Sequence, residues 1–258
     1  MSTKEDSNSA ILRAFSVVEA VVQSNEPVSI GDLIDRLGLP KPTVHRMVAM
    51  LERAALLDRE PDSKRVIAGS RLTTMGLDAI LNSRLRGPWR AILRGLHTEV
   101  KETCSFSMLH GNEVIVLDRI ESEWGLRLHV PVGARVPLHC TSSGKLFLSY
   151  LTRTARDRLL TKQPLEKLTD HTITDREQLE TALAVIRKSG VGTDNGEYMV
   201  GLIGVATPIL GSGKRVIATL SVNAPAARLS MEGALEHVPA LQKAALAMGD
   251  LFAKSRDE

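Results

Sequence analysis

Aromatic side chains make up only 3% of the 258 residues, which leaves few platforms for stacking and favours a small ligand over a large planar one. The two cysteines, Cys104 and Cys140, are too few for a disulfide scaffold and cannot alone supply a four-ligand zinc site. They suit a reducing compartment. No stretch approaches the roughly 18 uninterrupted apolar residues of a membrane-spanning helix. The first ten residues, MSTKEDSNSA, carry no apolar segment of a secretory signal. The expected location is the cytoplasm, with no membrane partner. Charge of one sign is also scarce: the net charge of +3 is too small by itself to argue for a nucleic-acid partner.

Catalytic signatures are missing too. Gly144-Lys145 is followed by Leu146 rather than by serine or threonine, so there is no phosphate-binding loop. Neither Gly190-x-Gly192 nor Gly211-x-Gly213 extends into the dinucleotide fingerprint. There is no G-x-S-x-G elbow and no H-E-x-x-H helix, and the histidines at 45, 97, 110, 129, 139, 171 and 237 form no helix-spaced pair. These absences argue against an enzyme and leave no catalytic residue, metal ligand or cofactor to assign. Cys104 and Cys140 read as small core or pocket-wall residues.

What is present is 43% apolar residues, enough for a real core, in a chain long enough for two domains. The N-terminal part reads as three helices and a hairpin. Ile11, Phe15, Val18 and Val22 recur on one helical face. Ser29 and Asp32 form a capping box before a second helix that buries Ile30, Leu33, Ile34 and Leu37. Gly38 stands where a helix end favours a left-handed residue, and Pro42 suits the first position of a third helix. That helix divides into an apolar side (Val44, Met47, Val48, Leu51, Ala55) and a basic stripe (Lys41, His45, Arg46, Arg53) with Ala49 in its middle. Strands at 56–60 and 65–68, joined through Pro61-Asp62-Ser63-Lys64, complete a winged helix-turn-helix. From Arg36 to Arg71 eight basic residues stand against four acidic ones, a local charge of +4. Such a window fits a phosphate-facing surface or an ordinary solvated one.

Lys41, Pro42, Thr43, His45 and Arg46 cluster at the N-terminal end of the third helix, where helix-turn-helix proteins place their base contacts. Arg46 is the best candidate for a bidentate guanine contact. Ser29 and Thr43 suit phosphates at helix N-termini. Arg59, Lys64 and Arg65 on the hairpin would follow the adjacent backbone or minor groove of double-stranded DNA. A small helical domain for protein contacts would show the same periodicity.

Residues 70–86 read as a connecting helix ending at Gly87-Pro88. Beyond it, Trp89, Ile92, Leu93, Leu96 and Val100 mark another amphipathic helix. Strands are expected at 103–109 and 113–120 around His110-Gly111-Asn112, at Leu126, Leu128 and Val130, and at 200–210 and 215–223 around Gly211-Ser212-Gly213-Lys214. Helices are expected at 144–151 and 175–189. A final helix carries Leu235, Val238, Leu241, Ala245, Met248 and Phe252, kinked at Pro239. Hairpins interspersed with helices, without regular βαβ alternation, predict an α+β domain on an antiparallel sheet. Thr141-Ser142-Ser143-Gly144-Lys145, opening a helix, offers backbone N–H groups to a small anion or serves as a plain cap. Asp194, Ser221 and Asn223 are further polar candidates.

Five ordered blocks carry a family resemblance. They are Leu12-Arg13-Ala14-Phe15 with Val18-Glu19; Leu37 through Arg46; Pro137-Leu138-His139 with Thr141 through Lys145; Asp194 through Gly201; and Ala206-Thr207-Pro208 followed by Leu220 through Pro225. Together they resemble the IclR (isocitrate lyase regulator) family of bacterial transcriptional regulators. The resemblance implies a winged helix-turn-helix (8–69), a linker helix (70–87) and a C-terminal antiparallel-sheet α/β, GAF-like effector-binding and oligomerisation domain (88–254). It implies operator DNA and a small-molecule effector, often a small organic or aromatic acid, as partners, and a homodimer or dimer-of-dimers tetramer. Carried onto this chain, the effector wall comprises Leu128, Val136, Ser142, Ser143, Asp194, Leu202, Gly204, Ser221 and Asn223. The chain departs from the family pattern at Pro42, Ser142, Gly196, Gly204 and Asn223, so the effector's identity does not transfer. The alternatives are a metabolite-binding protein or enzyme whose N-terminal helices only dimerise, and a DNA-binding architectural protein without an effector.

Overall fold

The computed structural model describes residues 9–24, 26–60, 63–81, 86–125, 130–161, 165–211 and 215–254. They fall into two compact units, Met1–Ser83 and Arg84–Glu258.

In the first unit α1 (Ala10–Val22), α2 (Ile30–Leu37) and α3 (Lys41–Arg53) pack around Val17, Val21, Leu33, Val44 and Val48. The capping box is formed: Ser29 N donates to Asp32 Oδ2 at 2.9 Å, and Asp32 N donates to Ser29 Oγ at 3.1 Å. Gly38 ends α2 at φ 63°, a conformation that costs a Cβ-bearing residue energy, and Pro40 caps α3. Pro42 therefore occupies the second helical position rather than the first. It does no harm there, because none of the first four N–H groups has an intrahelical partner. The hairpin pairs β1 (Leu57–Arg59) with β2 (Val66–Ala68), and Val28 joins through an isolated bridge to Val66. Pro61 and Asp62, assigned to the turn, lie outside the described residues. Ala55 is not on the buried side of α3. It lies past the helix end, exposed, at φ 55°.

The buried face of α1 differs from the expected one. Val17 and Val21 enter the core, whereas Ile11 is 69%, Phe15 63% and Val22 47% exposed. Val17, Val18, Val21 and Val22 offer two adjacent stripes of equal spacing, and periodicity alone does not choose between them. The connecting helix also departs from its expected bounds. α4 (Ser70–Leu81) is followed by α5 (Arg86–Val100), which takes Gly87-Pro88 into its first turn instead of ending there.

The second unit is a six-stranded sheet in the order β5-β4-β3-β8-β7-β6. Its strands are β3 (Thr103–His110), β4 (Glu113–Ile120), β5 (Arg135–Pro137), β6 (Gly192–Asn195), β7 (Leu202–Leu210) and β8 (Val216–Pro225), and every neighbouring pair is antiparallel. Antiparallel pairing lets the two faces differ, since alternate side chains point to opposite sides. One face is apolar. Phe106 meets Trp89 of α5 with ring centroids 5.4 Å apart, and the Trp89 indole donates to buried Asp118 at 3.1 Å. α10 (Val238–Lys254) brings Leu241, Ala245 and Met248 into the core. A six-residue helix, α9 (Met231–Glu236), precedes α10, so Pro239 sits in a first turn and kinks nothing. Leu235, expected inward, is exposed.

The other face receives α6 (Ser142–Tyr150), α7 (Arg153–Thr161) and α8 (Arg176–Ser189). Leu146, Phe147, Leu160, Leu179, Leu183 and Ile186 close a core cluster with Val114 and Val136. A bidentate pair between Arg156 and Glu180, at 3.0 and 2.5 Å, ties α7 to α8. Short β5 and β6, with α7 and α9, were not anticipated. The strand expected through Leu126 and Leu128 falls on residues 126–129, outside the described residues, as does the turn at 212–214.

Candidate functional site

Two surfaces stand out. On α3, burial of Val44, Met47, Val48 and Leu51 fixes the helix's rotation. Lys41, Pro42, His45, Arg46 and Arg53 are thereby exposed, with Thr43 and Ala49 half-buried. Among the described residues no ion pair or side-chain hydrogen bond holds Lys41, His45, Arg46 or Arg53 to the protein. Met50, 54% exposed, sits beside this stripe and was not anticipated.

The flanking candidates have internal partners. Arg59 Nε donates to Glu52 Oε1 at 2.5 Å, and its Nη1 donates to the Lys64 carbonyl at 2.8 Å, bracing the hairpin against α3. Arg65 Nη1 donates to the Pro27 carbonyl at 3.1 Å and lies 3.7 Å from Asp32. The Ser29 hydroxyl caps α2. Lys64, exposed at φ 52°, stands at the hairpin tip.

The second surface is a cavity between the sheet and α6, enclosing about 510 Å3 of empty space with its open mouth included. The sheet builds its floor row by row, because residues directly paired across strands share a face. One row runs Asp194, Gly204, Asn223, Thr103. The next runs Ala206, Ser221, Ser105, Arg119. Short polar side chains on this face leave open volume that leucines would fill. Glycines let α6 come close: a Cβ on Gly192 would stand 2.1 Å from the Ser142 carbonyl oxygen, and one on Gly204 2.8 Å from Asn223 Oδ1. Thr141 caps α6 by accepting from Gly144 N at 3.1 Å, and Thr219 donates to Ser143 Oγ at 3.0 Å.

Of the nine residues carried over from the resemblance, Val136, Ser142, Ser143, Asp194, Leu202, Ser221 and Asn223 line this cavity. Gly204 lies beneath it, and Leu128 is outside the described residues. Ser105, Ser107, Val114, Val116, Arg119 and Tyr198 also line it and were not anticipated. Arg119 had a readable signal: with Asp118 it interrupts the apolar run of β4, and a charge inside a buried strand needs a reason.

Asp194 is 1% exposed, and burial pushes its carboxyl up to about 7. Its Oδ1 accepts from Glu197 N at 2.8 Å and Tyr198 N at 3.3 Å, which holds the value down, while the Glu197 carboxylate raises it further. Lys145 is committed to Glu197 in a buried ion pair. Burial also lowers the value of the Arg119 guanidinium, whose Nη1 donates to the Val130 carbonyl and whose Nε lies 3.8 Å from Glu121. Cys140 is pushed up to about 12 and Cys104 higher still by burial, so neither thiol is a ready nucleophile. Among the described residues no group of three or more His, Cys, Asp or Glu could hold a metal ion, and no helix is long and apolar enough to cross a membrane.

A winged helix with an outward basic stripe, carried in one chain with a second unit that encloses a small polar cavity, is the construction of a ligand-responsive DNA-binding regulator. Two family models match this chain. The IclR helix-turn-helix domain covers residues 10–61, and the bacterial transcriptional regulator IclR C-terminal domain covers residues 78–249. The chain belongs to the IclR family of bacterial transcriptional regulators, with an N-terminal DNA-binding domain and a C-terminal effector-binding domain. It is 37% identical over 246 residues to the Cupriavidus necator protein named "Probable transcriptional regulator SauR", covering 95% of this chain and 98% of that one. Similarity to the regulator KdgR of Escherichia coli is 29% over 95% of this chain and 93% of KdgR. Among solved structures, an IclR homologue from Microbacterium hydrocarbonoxydans complexed with 4-hydroxybenzoate is 28% identical, with a TM-score of 0.60 over 94% of this chain and 98% of that one. The Thermotoga maritima IclR, at 24% identity and TM-score 0.62 over 93% and 97%, shares the fold.

Proposed function

We propose that α3 reads operator DNA through Lys41, Thr43, His45 and Arg46, with Arg46 making a bidentate guanine contact and Lys64 of the wing reaching the adjacent backbone. The single observation that carries this reading is the exposed basic stripe of Lys41, His45, Arg46 and Arg53, which makes no ion pair or side-chain hydrogen bond among the described residues. Ser29, Pro42, Arg59 and Arg65 then act mainly by shaping the surface. Arg46→Ala should weaken specific binding by about 1–3 kcal/mol while sparing non-specific binding. Fluorescence anisotropy on DNA flanking the protein's own gene measures both, and unchanged specificity removes Arg46 from the reading role. Affinity should also fall steeply with salt, because phosphate contacts release counterions.

The cavity is the effector site in this reading. Its polar floor and the 4-hydroxybenzoate complex of the Microbacterium protein support a small organic acid as ligand. The protein acts in the cytoplasm as a homodimer or a dimer of dimers, and it is a binding protein rather than an enzyme. The exposed stripe of Ile11, Leu12, Phe15 and Val22 on α1 supports self-association, since soluble proteins seldom leave such a row uncovered. Analytical ultracentrifugation of Phe15→Glu against the parent tests it, and an unchanged mass removes α1 from the interface.

A further inference from the structure

A guanidinium ties the hairpin of the first unit to the helix that bears the basic stripe. Alternation along β1 puts Arg59 on the same side as buried Leu57, where it meets α3. Its Nε donates to Glu52 Oε1 of α3 at 2.5 Å. From the same group, Nη1 donates to the carbonyl of Lys64 at 2.8 Å. Lys64 stands at the hairpin tip at φ 52°, a left-handed conformation that few residues with a Cβ adopt. Backbone bonds fix this turn from within: Lys64 N donates to the Glu60 carbonyl at 3.0 Å, and Glu60 N to the Arg65 carbonyl at 2.9 Å. Helix, strand and tip are thus joined through one planar side chain whose donors point in fixed directions. Glu52 and Arg59 are half-buried, and Lys64 is exposed.

We propose that Arg59 is a positioning residue for operator binding: held by Glu52, it sets the hairpin tip at a fixed reach from α3, so that Lys64 meets a phosphate while α3 lies in the groove. The inference rests on α3 reading DNA and assigns Arg59 and Glu52 a part in it. A phosphate contact from the wing sets register and orientation rather than sequence, and a lysine on an unheld tip has to be ordered at the moment of binding. Glu52 is otherwise a liability on this surface. It shares α3 with Lys41, His45, Arg46 and Arg53, and its carboxylate repels the phosphates that those residues attract. Charge alone therefore says that removing Glu52 strengthens DNA binding. So does a direct phosphate contact by Arg59, since losing Glu52 would free the guanidinium for it. A positioning role says the reverse.

The probe is the duplex that the full-length parent enriches from a random pool, with affinities read by fluorescence anisotropy at one salt concentration. Glu52→Gln should weaken binding about threefold to tenfold, the ordering cost of one long side chain. Arg59→Lys keeps the charge but loses the fork that spans Glu52 and the Lys64 carbonyl, and should weaken binding to the same extent. Once Lys64 is replaced by alanine, neither change should weaken binding further, whereas a loosened fold would cost the same in both backgrounds. Tighter or unchanged binding by Glu52→Gln, full affinity in Arg59→Lys, or losses that add to that of Lys64→Ala would overturn the positioning role and leave α3 as the reader. If the parent enriches no sequence, the operator reading falls and the positioning role with it. If Glu52→Gln melts early, Arg59→Lys, alone and combined with Lys64→Ala, decides.

Discussion

The two units build their recognition surfaces in opposite ways. On α3 the side chains facing outward are exposed and unengaged, while a separate set, Val44, Met47, Val48 and Leu51, holds the helix in place. In the cavity, on the proposed reading, the same residues do both jobs. Asp194, Ser142, Ser143 and Ser221 are buried, and Asp194 organises the Glu197–Tyr198 turn while forming the wall. Separating the duties leaves α3 free to change specificity without a change in stability. Merging them makes the cavity's chemistry a term in the folding free energy, so ligand and protein stability are coupled through it.

The largest expected departure between the units is therefore at Asp194. Its carboxyl is held near 7 in the folded protein against an ordinary 3.8. The folded state consequently binds more protons than the unfolded one between these values, and stability falls as pH rises through that window. With the full shift worth about 4 kcal/mol, the Asp194→Asn protein should lose most of the fall and be about 2 kcal/mol more stable than the parent at pH 8. Urea unfolding at pH 5 and pH 8 measures this. Parallel behaviour of parent and variant would show that Asp194 ionises without cost and that the two units do not differ in this respect.

The next effect is steric. Gly192→Ala sets a methyl against the backbone carbonyl of Ser142, which can yield only if α6 shifts, and should cost about 1–3 kcal/mol. Gly204→Ala meets the end of the Asn223 side chain, which can rotate away, and should cost less. Equal melting temperatures for the two would mean that α6 is not seated against β6. In the first unit the comparable structural residue is Ser29, whose loss to alanine should cost about 1 kcal/mol through the cap. A thermal shift of several degrees is the readout, and none at all would mean that Asp32 alone sustains the helix start.

Legibility in the sequence followed the same division. The recognition helix could be read because its apolar and basic residues segregate at helical spacing, and the capping box and Gly38 are local rules with local residues. The helix at 175–189 was readable for the same reason, with Leu179, Leu183 and Ile186 all buried as the spacing requires. The sheet's polar face was not readable as a face. Ser105, Ser107 and Arg119 become neighbours of Ser221 only through register across β3, β4 and β8, which no single strand encodes. The resemblance supplied seven of the cavity-lining residues and missed Arg119. The carboxylate of Glu52 as a partner for Arg59 was likewise invisible, since helix and strand meet only after folding. Short β5 and β6 lack enough residues for alternation, and α7 buries just Leu160 among its described residues, leaving almost no apolar stripe to detect.

The smallest expected effect is also the sharpest test of the contrast. Arg46→Ala removes an exposed side chain that makes no ion pair or side-chain hydrogen bond among the described residues, from a helix whose packing lies on the opposite side. Alanine has slightly better helix propensity than arginine, so the stability of the first unit should change by no more than about 0.5 kcal/mol in either direction. Thermal unfolding beside the DNA titration gives both numbers from one preparation. A loss of specific binding at constant melting temperature is the signature of a residue reserved for the partner. A loss of both would mean that Arg46 holds the fold as Asp194 does, and the division between the two units would disappear.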